Sequence, residues 1–173
     1  MTSPQQAHEC GSALGSLLRE GDLVVLNGPL GAGKTTLTQG IAEGLGVRGP
    51  ITSPTFVIAR VHPSLLHGPM LVHVDAYRLG GHAELDDLDL DTDLERAVTI
   101  VEWGAGLAES LGESRLEISL SMTAESTDGT ASTLADAAPA RDITMTAIGP
   151  AWLHTRSMDA LAPWLSQDRG KRA

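Results

Sequence analysis

Apolar residues along this chain occur in short runs bounded by glycine, proline or acidic residues, a pattern typical of buried strands. The strands predicted in this way are Leu23–Asn27, Phe56–Val61, Met70–Asp75 and Val98–Glu102. After the first of them, Leu37, Ile41 and Leu45 recur every four residues, which predicts a helix that begins at Lys34. Strands therefore alternate with helices, and this order predicts an α/β fold with a mainly parallel central sheet flanked by helices.

The N-terminal segment predicts a helix from Pro4 to Arg19. Ser3 and Gln6 have the spacing of a capping box, and proline suits the first helical position. Cys10 lies on the apolar face of this helix with Leu14, so we expect a small buried core residue there.

Two later segments alternate apolar and polar residues, as half-buried strands do. Their apolar positions are Leu116, Ile118, Leu120 and Met122 in the first, and Ile143, Met145 and Ala147 in the second. We expect an antiparallel pair at the sheet edge, with Thr123 to Arg141 as a long hairpin connection. We also expect a short helix near Met158 to Leu165, limited by Pro163. Residues 1–166 are predicted to form one domain, and residues 167–173 a disordered tail.

Residues 28–35 have the sequence Gly-Pro-Leu-Gly-Ala-Gly-Lys-Thr and match the pattern G-x-x-x-x-G-K-[ST] of a phosphate-binding loop. The predicted strand before the loop and the predicted helix after it supply the context that this motif requires. Glycines let backbone N–H groups surround phosphate oxygens, and the helix N-terminus favours negative charge. We expect Lys34 to reach the terminal phosphates and the Thr35 hydroxyl to ligate magnesium.

Hydrolysis of a bound nucleotide needs a second magnesium anchor and a group that positions water. Asp75 and Glu102 each end a predicted strand, and the carboxyl ends of parallel strands meet at the edge that carries the phosphate loop. Both carboxylates are therefore candidates for this site. His73 precedes Asp75 by two residues and should face the same side of the strand, where packing or a hydrogen bond is its expected role.

Other polar residues near these strands leave alternatives open. Ser53 and Thr55 flank Pro54, and their hydroxyls suit either a nucleotide-sensing loop or a simple turn before a strand. Arg78 is a candidate cation for the phosphates or a partner of the acidic stretch that follows it.

Seven carboxylates and no basic residue lie between Glu84 and Glu95. Alternate aspartates there suggest a calcium loop, but Thr92 takes the position of the required glycine and Val98 that of the final glutamate. An acidic amphipathic helix, with leucines on its apolar side, is therefore the expectation.

Composition limits the partners of this 173-residue chain. The formal net charge of −10 argues against direct, non-specific binding to nucleic acids, which depends on cations that neutralise phosphates. A single cysteine excludes an internal disulfide, and the chain has no secretion signal and no apolar run of membrane-spanning length, so a cytosolic protein is expected. Of the 12 basic residues only Lys34 and Lys171 are lysines, and Lys34 stands where phosphate recognition needs a compact charge.

Guanine-specific phosphate-loop proteins normally carry an Asn-Lys-x-Asp segment, and the single asparagine of this chain, Asn27, has no lysine beside it. ATP with Mg²⁺ is therefore the expected ligand.

Four motifs occur in order at residues 28–36, 53–56, 73–79 and 101–103: Gly-Pro-Leu-Gly-Ala-Gly-Lys-Thr-Thr, Ser-Pro-Thr-Phe, His-Val-Asp-Ala-Tyr-Arg-Leu and Val-Glu-Trp. Together they resemble the TsaE (YjeE) family of bacterial ATPases. The resemblance implies a phosphate-loop NTPase fold and weak ATP hydrolysis. It also implies a role in threonylcarbamoyladenosine modification of tRNA beside the anticodon, together with the proteins TsaD and TsaB.

The resemblance also implies roles for individual residues. Lys34 would bind phosphate, Thr35 and Glu102 would hold Mg²⁺, and Asp75 would serve hydrolysis, which makes Lys34, Asp75 and Glu102 the expected catalytic residues. Trp103 would be the aromatic residue beside the site. The expected nucleotide-binding residues are Gly28, Gly31, Ala32, Gly33, Lys34, Thr35, Thr36, Ser53, Thr55, Asp75 and Trp103.

Two other functions stay open from the residues themselves. A small-molecule kinase of phosphate-loop type is one, although Thr123 to Arg141, the candidate lid, has only one arginine. A nucleotide-gated binding module that does not hydrolyse ATP is the other.

Overall fold

A six-stranded sheet organises the molecule, for which a computed structural model describes residues 3–88, 95–122, 141–153 and 161–163. The strands are β1 (Leu23–Asn27), β2 (Ala59–His62), β3 (Met70–Asp75), β4 (Ala97–Glu102), β5 (Arg115–Met122) and β6 (Arg141–Ile148). Their order across the sheet is β2-β3-β4-β1-β5-β6. The described helices are α1 (Pro4–Gly15), α2 (Lys34–Leu45), α3 (His82–Asp86) and α4 (Pro150–Leu153), with 3-10 turns at Ala76–Arg78 and Ala108–Leu111.

The four central strands of the sheet are parallel, as the alternation of strands and helices predicts. β1 pairs in parallel with β4 and β5, and β3 pairs in parallel with β4. The edge strands β2 and β6 run antiparallel to β3 and β5. The predicted edge pair of β5 and β6 is confirmed, and the carboxyl ends of β1, β3 and β4 meet at one edge of the sheet.

Two apolar layers lie on the two faces of the sheet. The larger layer joins the sheet to α1 and α2 and includes fully buried Leu14, Leu37 and Ile41. The smaller layer covers the other face and includes Val74, Leu85 and Val101. Cys10 is fully buried in the larger layer, as predicted. No helix among the described residues is long and apolar enough to cross a membrane.

The N-terminal helix begins as predicted but ends earlier. The Ser3 side chain accepts a hydrogen bond from the Gln6 amide, and Pro4 occupies the first turn. Helix α1 ends at Gly15 rather than at Arg19, because the next amides make tight turn contacts: Leu17 N–H bonds to the Leu14 carbonyl.

The prediction of a strand from Phe56 to Val61 is wrong at its start, because β2 spans Ala59–His62. The amides of Val57 and Ile58 both donate to the Pro54 carbonyl, at 2.8 and 2.7 Å, so this stretch forms a turn instead of pairing with β3. The Phe56 side chain is accordingly exposed.

Of the acidic segment, residues 84–88 and 95 are described, and the helix in this part ends at Asp86. Helix α3 spans His82–Asp86, so it starts two residues before Glu84, and its buried Leu85 confirms the apolar side of the helix. The predicted continuation lies partly outside the described residues, as do most of the hairpin connection, most of the predicted C-terminal helix and the predicted tail. Helix α4 was not predicted, and its Trp152 is buried in the larger apolar layer.

Candidate functional site

The loop between β1 and α2 adopts the conformation that the phosphate-loop motif requires. Gly33 has φ 102° at the N-terminus of α2, a left-handed conformation that other residues rarely adopt. Gly28 has φ 144°, and a Cβ placed there would lie 2.4 Å from the Leu120 carbonyl oxygen of β5. No side chain caps the start of α2, so its first amides face the loop region where an anion is favoured.

Lys34 is buried at the first position of α2, with its ammonium group turned toward the loop. Its Nζ donates hydrogen bonds to the carbonyls of Gly28 at 2.8 Å and Pro29 at 3.1 Å. Burial lowers the pKa of this ammonium, and the negative charges of Glu102 and Asp75 partly oppose the effect. The ammonium is therefore held by neutral carbonyls, with two carboxylates near it.

The Thr35 hydroxyl meets Glu102 across the sheet edge. Thr35 Oγ1 lies 3.1 Å from Oε1 and 3.4 Å from Oε2 of Glu102, whose side chain is 3% exposed at the end of β4. Glu102 is in register with Asp75 at the end of β3, so both carboxylates leave the sheet on the same face. The structure thus brings together the two residues expected to hold Mg²⁺ and the carboxylate expected to serve hydrolysis.

Asp75 connects the sheet edge to the loop that contains Ser53 and Thr55. Its Oδ2 accepts hydrogen bonds from Ser53 Oγ at 3.2 Å and from Thr55 Oγ1 in a very close contact. Its Oδ1 accepts from the Tyr77 amide at 3.0 Å and so caps the following 3-10 turn. The hydroxyls that flank Pro54 therefore face Asp75.

A cavity of about 300 Å³ lies between the phosphate loop and the ends of β3 and β4. Its lining is Leu30, Gly31, Gly33, Lys34, Thr35, Thr36, Ser53, Thr55, Asp75, Glu102 and Trp103. Most of the residues predicted to bind the nucleotide are in this lining. Gly28 and Ala32 stand behind it, since Gly28 packs on β5 and the Ala32 side chain is fully buried.

Aromatic residues extend this cavity on one side. The Trp103 ring lies 5.2 Å from the Tyr77 ring, centroid to centroid, and with Leu30, Thr55 and Asp75 the two rings line a smaller cavity of about 220 Å³. A larger cavity of about 440 Å³ lies beside α1 and α2 and contains none of the predicted site residues.

Two contacts at the site, and the place of Tyr77 in its lining, were not predicted. The Arg141 Nε donates to the Ala32 carbonyl at 3.1 Å, which ties β6 to the phosphate loop. Arg78 lies over the Phe56 ring, with its guanidinium carbon 4.6 Å from the centroid. Tyr77 is the only tyrosine of the chain and lies two residues after Asp75. This position is the signal in the sequence that places Tyr77 near the site.

The sheet order, the glycine-rich loop after β1 and the carboxylates at the strand ends define a phosphate-loop NTPase fold. The crystal structure of YdiB from Bacillus subtilis has this fold, with a TM-score of 0.65 and 28% sequence identity, over 94% of this chain and 88% of YdiB. A family model described as "Threonylcarbamoyl adenosine biosynthesis protein TsaE" matches residues 1–130. The chain belongs to the TsaE family.

Individual relatives agree with this assignment. A protein of Streptomyces coelicolor named tRNA threonylcarbamoyladenosine biosynthesis protein TsaE is 56% identical over 83% of this chain and 92% of its own length. The Bacillus subtilis protein of the same name is 34% identical over 85% of this chain and 83% of its own length.

Proposed function

We propose that this protein is a magnesium-dependent ATPase that supports the threonylcarbamoyladenosine modification of tRNA. In this proposal it acts together with TsaD and TsaB and hydrolyses ATP slowly on its own. Membership of the TsaE family supports the pathway, and the names of the Streptomyces and Bacillus relatives agree with it.

The observation that carries the proposal is the 3.1 Å contact between Thr35 and Glu102 beside the Lys34 ammonium. A hydroxyl and a carboxylate are hard oxygen ligands, as Mg²⁺ prefers. The described part of the chain holds no group of three or more histidine, cysteine or carboxylate side chains placed to bind a metal. Mg²⁺ is usually held by one or two protein ligands together with nucleotide phosphates and water, so Thr35 and Glu102 would be sufficient protein ligands.

Each residue then has a defined task. The amides of the loop and of the first turn of α2 bind phosphate oxygens, and Lys34 exchanges the carbonyls of Gly28 and Pro29 for the terminal phosphates. Thr35 and Glu102 would hold Mg²⁺, which neutralises charge on the phosphates when it is bound. Asp75 orients the attacking water and accepts its proton, while the hydroxyls of Ser53 and Thr55 keep the carboxylate in place.

The acidic charge of the chain supports action through protein partners rather than direct contact with tRNA. The family assignment makes TsaD and TsaB the partners to test, because they belong to the same modification machinery. ATP hydrolysis would then be coupled to the partner complex rather than to tRNA binding by this chain.

The test is phosphate release from ATP by the purified protein, alone and with TsaD and TsaB. We expect slow release that requires Mg²⁺ and changes when the partners are added. Lys34→Ala should lower the rate by at least about a hundredfold, since it removes a cation aimed at the transferring phosphate. Arg48→Ala is the matched control, because it removes an exposed cation outside the site.

Two results would contradict the proposal. One is undiminished hydrolysis by Lys34→Ala, and the other is retention of ATP without turnover even with both partners, as a gated binding module would show. A phosphorylated small molecule formed in place of free phosphate would identify a kinase instead. In the host, depletion of the protein should lower threonylcarbamoyladenosine in total tRNA, and the wild-type gene, but not Lys34→Ala, should restore it.

A further inference from the structure

His73 is fully buried beside Glu102, and it has no role in the proposed reaction. Its Nε2 lies 2.9 Å from Oε1 of Glu102. The His73 side chain is 0% exposed and the Glu102 side chain 3% exposed. The contact follows from the strand register: Asp75 pairs with Glu102 and His73 pairs with Ile100, so all four side chains lie on the face of the sheet that packs against α2.

The direction of this hydrogen bond follows from the donors available. A carboxylate only accepts, so the Nε2 of His73 carries the proton that is shared with Glu102. The other ring nitrogen, Nδ1, is buried and has no hydrogen-bond partner among the described residues. The tautomer with its proton on Nε2 leaves only a lone pair unpartnered there, which costs less than burying an unpartnered N–H donor.

One oxygen of Glu102 is therefore held from two sides. Oε1 accepts from His73 on β3 at 2.9 Å and from the Thr35 hydroxyl on α2 at 3.1 Å. The two contacts fix the rotation of the carboxylate, and they come from elements that the apolar core joins rigidly. Loss of the His73 contact would leave a buried carboxylate with a single hydroxyl to orient it.

We propose that His73 is a positioning residue that fixes the Glu102 carboxylate for binding a divalent cation. The inference rests on the proposed role of Glu102 as a Mg²⁺ ligand and adds the group that aligns this ligand. A second hydrogen bond to a ligating group typically changes metal affinity by about 10- to 100-fold. His73 itself touches neither nucleotide nor metal in this proposal.

The test separates metal binding from nucleotide binding and from folding. ATP affinity is measured by calorimetry without Mg²⁺ and again over a Mg²⁺ titration, and Mn²⁺ bound in the presence of ATP is counted by electron paramagnetic resonance. His73→Leu should raise the Mg²⁺ concentration for half-saturation about tenfold or more and lower bound Mn²⁺ in parallel. Its ATP affinity without metal should stay within about twofold of wild type, since no phosphate contact is lost.

Two further variants serve as controls. His73→Gln places an amide N–H near the position of Nε2 and should restore much of the metal affinity. Thr99→Val replaces another fully buried polar side chain, one on the opposite face of β4 with no hydrogen-bond partner among the described residues, and should leave the Mg²⁺ half-saturation unchanged.

A double-mutant comparison shows whether His73 acts through Glu102. In a Glu102→Ala background, His73→Leu should cause no further loss of metal affinity, because the group that it aligns is gone. An equal loss in both backgrounds, or an unchanged half-saturation in His73→Leu alone, would overturn the inference. If wild-type protein binds ATP identically with and without Mg²⁺, the proposed function itself fails. This result differs from the two above, which overturn only the role of His73.

The wild-type protein offers a test that needs no folded variant. The nitrogen-15 spectrum of the buried imidazole should show a protonated Nε2 that is hydrogen-bonded to a carboxylate. A ring protonated only on Nδ1 would place a lone pair against Glu102 and would refute the positioning role.

Discussion

The ammonium nitrogen of Lys34 lies 3.8 Å from the centroid of the Trp103 ring, directly over its face. Trp103 is in turn fixed by its backbone, since its amide donates to the Leu26 carbonyl at 2.9 Å and its φ is 61°. A non-glycine residue with positive φ persists only where its surroundings hold it in place. The lysine of the phosphate loop therefore rests on an aromatic surface that belongs to the site.

This contact predicts an energetic coupling between Lys34 and Trp103. A cation over an indole ring contributes about 0.5 to 2 kcal/mol, with the larger values when the pair is partly desolvated. Urea unfolding of Lys34→Met, Trp103→Leu and the double variant should give a coupling in this range without nucleotide. Saturating Mg²⁺ and ATP should reduce it, because the ammonium then turns toward phosphate.

Trp152→Leu provides the matched control for this cycle, since Trp152 lies in the apolar layer away from the site. Its effect should add to that of Lys34→Met within about 0.5 kcal/mol. If the effects of Lys34→Met and Trp103→Leu on the free energy of unfolding were also additive, the ring would not stabilise the lysine.

The hydroxyls on Asp75 predict a second outcome, for the loop that carries them. Thr55→Val removes a hydrogen bond to a charged carboxylate, which is worth about 1.5 to 3 kcal/mol. Amides of residues 53–58 should then exchange with deuterium roughly tenfold faster or more, as measured by mass spectrometry. Thr52→Val is the control, because it removes only an exposed contact with Arg60 from the same loop and should leave the exchange nearly unchanged.

If Thr55→Val exchanged like the wild type, Asp75 would not be what orders this loop. The backbone bond from the Asp75 amide to the Ile58 carbonyl, 2.8 Å long, would then be sufficient on its own.

Cys10 predicts how stability depends on pH. Burial raises the pKa of its thiol from 9.0 to about 11. Between these values the unfolded chain releases the proton and the folded chain keeps it, so the free energy of unfolding falls as pH rises. Between pH 8 and pH 10.5 the wild type should lose roughly 2 kcal/mol relative to Cys10→Ala, measured by denaturant unfolding at each pH.

The comparison with Cys10→Ala cancels the other groups that titrate in this range, because both proteins carry them. A stability difference that stays constant from pH 8 to pH 10.5 would mean that the folded thiol ionises as freely as the unfolded one.

The residues of the candidate site could be located from the sequence because local signals determine their positions. A glycine-rich loop between a strand and a helix has one characteristic conformation, and the carboxyl ends of parallel strands share an edge. These two rules are enough to predict that Thr35, Asp75 and Glu102 lie close together. Their expected roles in binding and hydrolysis are tested by the experiments above and remain predictions.

Other features depend on packing that no local pattern encodes. The apolar run from Phe56 predicts too early a start for β2, because the amides of Val57 and Ile58 donate to the Pro54 carbonyl and not to a neighbouring strand. The contact of Arg141 with Ala32 depends on the register between β5 and β6, which places residue 141 beside the phosphate loop. The close packing of the α1 glycines against the α2 glycines is likewise not encoded by a local pattern.

Those glycines predict a reversal of the usual effect of alanine in a helix. Gly11 and Gly15 of α1 lie against Gly40 and Gly44 of α2, and a Cβ at Gly40 would come within 2.1 Å of the His8 carbonyl oxygen. Replacing glycine by alanine in an exposed helix stabilises it by about 1 kcal/mol. Here the two backbones would have to separate, so Gly40→Ala should instead lower the free energy of unfolding by roughly 1 to 3 kcal/mol.

Denaturant unfolding measures this change, with Glu43→Ala as the control on the same helix. Glu43 is largely exposed, and its replacement should alter stability by no more than about 0.5 kcal/mol. Hydrogen exchange adds a second measurement, because separation of the helices should increase exchange in α1 more than in β1. An increase in stability for Gly40→Ala would contradict the prediction, since it would mean that α1 and α2 do not approach closely enough to exclude a methyl group.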